Sequence, residues 1–148
     1  MGIRLRGRLI DSLYTEAMVL ADEARSYFDQ EGRLDREQLT PLMRVTLSCE
    51  SLKITTRLMN MLSWLLTQRA VELGQIEAAG SKVSTEWVNE DDEQSTASLA
   101  GLPRAAIALI EASRELQARV RRIDSDPPDA GQSHSPALGL LDRLERAF

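Results

Sequence analysis

ESLKITTRLMNMLSWLLTQRA, from Glu50 to Ala70, is the stretch on which the fold turns. Its middle, Leu58 to Leu66, has no glycine or proline, and its only polar breaks are Asn60 and Ser63. A helix that is apolar on most of its circumference has to be covered on more than one side. It belongs in the middle of a bundle, in a membrane, or between two subunits. A spanning helix needs about 20 apolar residues, whereas Arg57 and Arg69 bracket only 11 residues. The membrane is therefore set aside.

Working outward, the helical reading extends from roughly Pro41 to Gly74, with a weaker lead-in from Asp35. Thr40-Pro41 offers a start with proline at the first helical position, and Asp35 with Gln38 offers an earlier, capping-type start. Leu47, Ile54, Leu58, Met61 and Leu65 form one seam along this helix; Leu52, Met59, Leu62 and Leu66 form a second, rotated one. Two seams require two neighbours on different sides. Upstream, Ile10, Leu13, Ala17, Leu20, Ala24 and Phe28 recur at helical spacing, which predicts a first helix from about Arg8 to Gln30, stopped by Gly32. Downstream the pattern lapses from Ile76 to Ala100, where Trp87 and Val88 are isolated apolar residues placed to anchor the stretch onto the bundle. A third helix is expected over about Leu102 to Ile123. Then DSDPPDAGQSHSP reads as a linker, followed by ALGLLDRLERAF, in which Leu138, Leu141, Leu144 and Phe148 share a face.

The expected fold is all-α: an antiparallel three-helix bundle with a long central helix, a flexible linker and a short C-terminal helix. Residues 1–123 form the bundle domain and 124–148 the linker and amphipathic segment. A three-helix bundle leaves the second seam uncovered, and a two-fold homodimer covers it.

Chemistry is sparse. His134 lies in the linker and Cys49 has no partner at metal-ligand spacing, so no metal or cofactor is implied. A single cysteine excludes an intramolecular disulfide and fits a reducing compartment. The N-terminus has arginines but no apolar core before Asp11, so it is not a secretory signal, and a cytoplasmic protein is expected. Glu16, Asp22 and Glu23 near Tyr14 could be offered as an acid–base group, but without a pocket they read as a solvated face. Glu90 to Glu93 is either a solubilising loop or a surface for a basic partner. The net charge of −5 gives no general field for nucleic acid. Arg104, Arg114, Arg119, Arg121 and Arg122 on the third helix nonetheless define a rival reading, a DNA-associated regulatory protein. A small-molecule pocket between helices one and two is a third possibility, and an enzyme is the least supported.

YTEAMVL (14–20), Gly32-Arg33, the block from Glu50 to Met59, and SWLL with Arg69-Ala70 together resemble the bacterial regulator of CtrA degradation family. The resemblance covers roughly Leu9 to Gly74 well and the third helix loosely. It implies a dimeric three-helix bundle with a flexible C-terminal tail. It also implies a non-catalytic adaptor for the ATP-dependent protease ClpXP in cell-cycle-controlled proteolysis. The partners it implies are the protease or its unfoldase, cargo proteins and a response-regulator-like protein. Glu50, Thr55, Thr56, Arg57, Trp64 and Arg69 match the family block. Partner contacts are expected at its polar end, Glu50, Thr55, Thr56 and Arg57, and in the tail at Leu141, Leu144 and Phe148. Leu58, Met59, Leu62, Trp64 and Leu66 are expected in the core or the dimer interface.

Overall fold

The computed structural model describes residues 2–77, 86–89, 99–125, 144, 145 and 147. The described residues are all-α, as expected. Helix α1 spans Gly2–Ser26, beginning earlier than the apolar periodicity suggested. It runs on into a π-helical turn, Tyr27–Glu31. Gly32 ends that turn for a steric reason: a Cβ there would lie 2.7 Å from the Tyr27 carbonyl oxygen and 2.9 Å from its ring. A short α2, Arg33–Glu37, follows.

Helix α3 spans Pro41–Glu72. Of the two starts offered by the sequence, Thr40-Pro41 is the one used: Thr40 is extended (ψ 157°) and its Oγ1 accepts from the Met43 N–H at 3.3 Å. Asp35 instead lies inside α2. The far end closes at Gly74, whose φ of 73° suits a residue without a Cβ. The Gly74 and Gln75 N–H groups bond back to the carbonyls of Val71 and Ala70. After a single 3-10 turn at Leu99–Gly101, α4 spans Arg104–Asp124.

The first seam is the core. Leu47, Ile54, Leu58, Met61 and Leu65 are all buried, packed with Ile10, Leu13 and Ala17 of α1 and Ala106, Ile110 and Val120 of α4. Helix α1 is antiparallel to α3: Arg6 donates to Gln68 at 3.2 Å and lies 3.9 Å from Glu72, while Asp11 pairs with Arg69 at 3.1 Å. It is antiparallel to α4 too, with Glu16 opposite Arg119 and Tyr27 on a groove with Ala105 and Ala108. The antiparallel expectation thus holds across α1. Helices α3 and α4, however, run parallel. Met43 sits by Gly101, Arg57 by Ser113 and Trp64 by Asp124. Helix α3 is about 48 Å long at 1.5 Å per residue. The chain between Gly74 and Pro103 is long enough to carry it back to the starting end.

Tyr27 ties this end together. Its ring is 4% exposed and its hydroxyl donates to Asp35 Oδ2 at 3.0 Å. Burial first, and then this bond, push its pKa from 10.0 up to about 12. The folded-state value lies above the unfolded one, so the contribution is complete below pH 10 and is lost as pH rises from about 10 to about 12. We expect the urea midpoint to fall between pH 9.5 and 11.5 in the parent, and Tyr27→Phe to flatten that fall. An identical slope in both proteins would show that Tyr27 does not control it.

Candidate functional site

Helix α3 sorts the family block into separate faces. Glu50, Arg57 and Trp64 recur every seven residues, so they share a stripe, and all three are buried. Arg57, 2% exposed, donates from Nη1 to Ser113 Oγ at 3.1 Å, and the Ser113 hydroxyl donates onward to the Ile110 carbonyl at 2.9 Å. Trp64 Nε1 donates to Asp124 Oδ1 at 2.9 Å. Glu50 accepts from Lys53 Nζ at 3.3 Å, an ion pair between residues three apart on the helix. Thr55 and Thr56 face outward, each hydroxyl donating to the carbonyl four residues back, of Ser51 and Leu52. The polar end of the block is therefore two surfaces: Glu50 and Arg57 turn inward, Thr55 and Thr56 outward. Arg69 belongs to neither. It pairs with Asp11, and its guanidinium stacks 4.8 Å from the Tyr14 ring centroid.

The core and interface set divides in the same way. Leu58 and Trp64 are buried, Leu62 is half-buried against the core, and Met59 and Leu66 are exposed. Leu42, Val45, Leu52, Met59, Leu66 and Leu73 are all large, apolar and exposed on the outside of α3. Between them at alternating steps of three and four stand Cys49, Thr56, Ser63 and Ala70. The result is a heptad stripe of large apolar residues in which, from Val45 on, small ones alternate with them, two of these, Thr56 and Ser63, being polar.

A short extended segment, Glu86 to Asn89, crosses α3 and α4 on another side. The Gln117 side chain, 1% exposed, bonds both backbone groups of Val88: Nε2 donates to the carbonyl at 3.1 Å and Oε1 accepts from the N–H at 3.3 Å. Asn60 Nδ2 donates to the Glu86 carbonyl at 2.7 Å. Trp87 Nε1 donates to Asp124 Oδ2 at 3.2 Å, so one carboxylate serves two indoles. Trp87 and Val88 do anchor the stretch, as expected. Gln117 and Asp124 were missed from sequence. The available signal was Gln117, a polar residue beside Ser113, Leu116 and Val120 on a buried helix face.

The acid–base candidates are not assembled. Glu16 holds Arg119 through two bonds of 3.0 and 2.9 Å, raising the arginine pKa chiefly by that hydrogen bonding. Asp22 and Glu23 line an open groove of about 560 Å³ between α1 and α4. Arg119, one of the five arginines of the DNA reading, is thus occupied within the bundle. Among the described residues, no cluster of three or more His, Cys, Asp or Glu could hold a metal ion. No helix among them is long and apolar enough to cross a membrane. Cys49 is exposed. Leu144 is helical and 52% exposed; Leu141, Phe148, His134 and the acidic run Glu90 to Glu93 lie outside the described residues.

A family described as protein of unknown function (DUF1465) matches residues 3–148, and the chain belongs to it. Among solved structures, the chain is similar to the crystal structure of RcdA from Caulobacter crescentus CB15. The two share 34% identity and a TM-score of 0.62, covering 78% of this chain and 88% of that one. The resemblance to the regulator of CtrA degradation family is thereby shown. No curated protein matches the sequence.

The Arg57–Ser113 contact yields a stability test. Ser113 is fully buried, and removing its hydroxyl takes an acceptor from a buried guanidinium. A buried donor deprived of its partner costs about 1–3 kcal/mol. Ser113→Ala should lower unfolding free energy by about that amount in urea melts; a change within error would mean that other partners of Arg57 suffice.

Proposed function

We propose that this member of the family is a non-catalytic protein-interaction adaptor that works as a cytoplasmic homodimer in the regulated proteolysis of the bacterial cell cycle. In this reading it delivers cargo to the protease ClpXP or its unfoldase, together with a response-regulator-like protein. The observation that carries the reading is the 34% identity to RcdA over 78% of the chain. Supporting it, the most specific residues of the block build the α3–α4 contact rather than a reaction centre. Asp124, expected to open the linker, is the last residue of α4, so residues 125–148 would act as a tethered docking segment apart from the bundle, raising the local concentration of whatever the tail binds.

The outer stripe of α3 gives the homodimer a definite arrangement. Turned antiparallel about a two-fold axis midway between residues 57 and 58, the stripe complements itself. Thr56 then opposes Met59, Leu52 opposes Ser63, Cys49 opposes Leu66 and Val45 opposes Ala70. Between Val45 and Ala70 every large residue meets a small one, which is how knobs fill holes, while at the two ends Leu42 opposes Leu73. A parallel pairing stacks large on large and small on small, and brings Cys49 against its own copy.

Two experiments test this. Under mild oxidation, Leu66→Cys should give a disulfide-linked dimer through Cys49, whereas the parent should not cross-link. Parent cross-linking would favour the parallel pairing, and no cross-linking in either would reject this interface. In a reconstituted ClpXP reaction with a response-regulator-like partner and CtrA as trial cargo, the full chain should shorten cargo half-life and the chain lacking 125–148 should do so less. Equal half-lives with and without the full chain, across CtrA and the cargo proteins it co-purifies with, would reject the adaptor reading.

A further inference from the structure

We propose that the groove between α3 and α4 is a docking site for an extended segment of a partner protein carrying a tryptophan followed by an aliphatic residue. In this structure it is filled by the chain's own Glu86 to Asn89. The proposal deepens the adaptor reading by giving it a peptide-recognition surface, but its evidence is local to the groove.

The occupant's contacts define the site. Gln117 is almost wholly buried, yet both of its amide atoms serve the backbone of Val88. That is the pairing a neighbouring β-strand would offer, and it reads extended backbone of any sequence. Asn60 adds a third bond to backbone, at the Glu86 carbonyl. Selectivity comes from the next position. The Trp87 indole is met by Asp124 Oδ2, on a carboxylate already held in place by Trp64 through its other oxygen. An indole N–H is a donor only, so this acceptor selects tryptophan over phenylalanine.

The segment that fills the groove stays partly open to solvent. Trp87 and Val88 are only half-buried, unlike the core beneath them. A segment on the same chain competes at a high effective concentration, so it can keep the groove with modest intrinsic affinity. A partner presenting the same features on a tethered or multivalent surface can displace it.

The test uses the full chain and a synthetic peptide of residues 84–92, labelled at its N-terminus for fluorescence anisotropy. Trp87→Ala weakens the internal occupant while leaving Gln117, Asn60 and Asp124 in place, and helix content by circular dichroism verifies the fold. The peptide should bind the Trp87→Ala chain one to one, at least tenfold tighter than it binds the parent. Adding Gln117→Met, or using a peptide with phenylalanine for the tryptophan, should cost at least tenfold. No binding to folded Trp87→Ala chain, equal binding to that chain and the parent, or indifference to Gln117→Met would overturn the proposal. So would a peptide whose only effect is to dissociate chain dimers, since the occupant would then be a second copy. No protease enters this measurement, so its failure is separable from failure of the degradation assay.

Discussion

A guanidinium that is 2% exposed must find hydrogen-bond acceptors, and Arg57 donates to one of them, Ser113 Oγ of α4. That requirement fixes more than a single contact. Oil-like packing of α3 on α4 could slide by a turn with little penalty, because leucine and alanine faces tolerate many registers. A buried charge with a directional partner does not tolerate sliding, since an uncompensated buried ion costs several kcal/mol. Glu50, Arg57 and Trp64 lie on one stripe of α3, and the last two reach Ser113 and Asp124 of α4. The register of the two helices is set by polar groups inside an otherwise apolar interface.

The parallel course of α3 and α4 follows from that register and has its own consequence. Two consecutive helices can run parallel only if the chain between them travels back along their length. Part of that return is the segment Glu86 to Asn89, which crosses the bundle outside any helix. Buried backbone needs partners, and Gln117 and Asn60 provide them. The same polar stripe that registers the helices therefore continues into the seat for the crossing segment. Asp124 is the joint, one oxygen on the core indole of Trp64 and the other on the segment's Trp87.

Much of this was legible in the residues, for identifiable reasons. Thr40-Pro41 and Gly74 mark the ends of α3 through local chemistry, a cap, a fixed φ and a positive φ, which does not depend on the rest of the fold. The seam Leu47, Ile54, Leu58, Met61 and Leu65 is a periodicity, and it is the core. The start of α1 was read late because Gly2 to Gly7 lacks an apolar face; there, Arg6 is held by Gln68 and Glu72, partners more than sixty residues away. The polar candidates were found but not sorted. Glu50, Thr55, Thr56 and Arg57 sit within eight residues of one helix, and only the position of α4 decides that two of them point inward.

By itself the sequence determined an all-α chain, a long central helix apolar on two sides, and membership of a family whose signature lies in that helix. These are properties of periodicity, capping and residue identity, all written within a few turns of the chain. Only the tertiary structure decided that α4 lies parallel to α3, and that Arg57 is buried on Ser113 while Met59 and Leu66 stay outside. It also decided that Gln117 and Asp124 grip a distant tryptophan-bearing segment. Each of those depends on which helix face meets which neighbour, a pairing between residues tens of positions apart that no local pattern encodes.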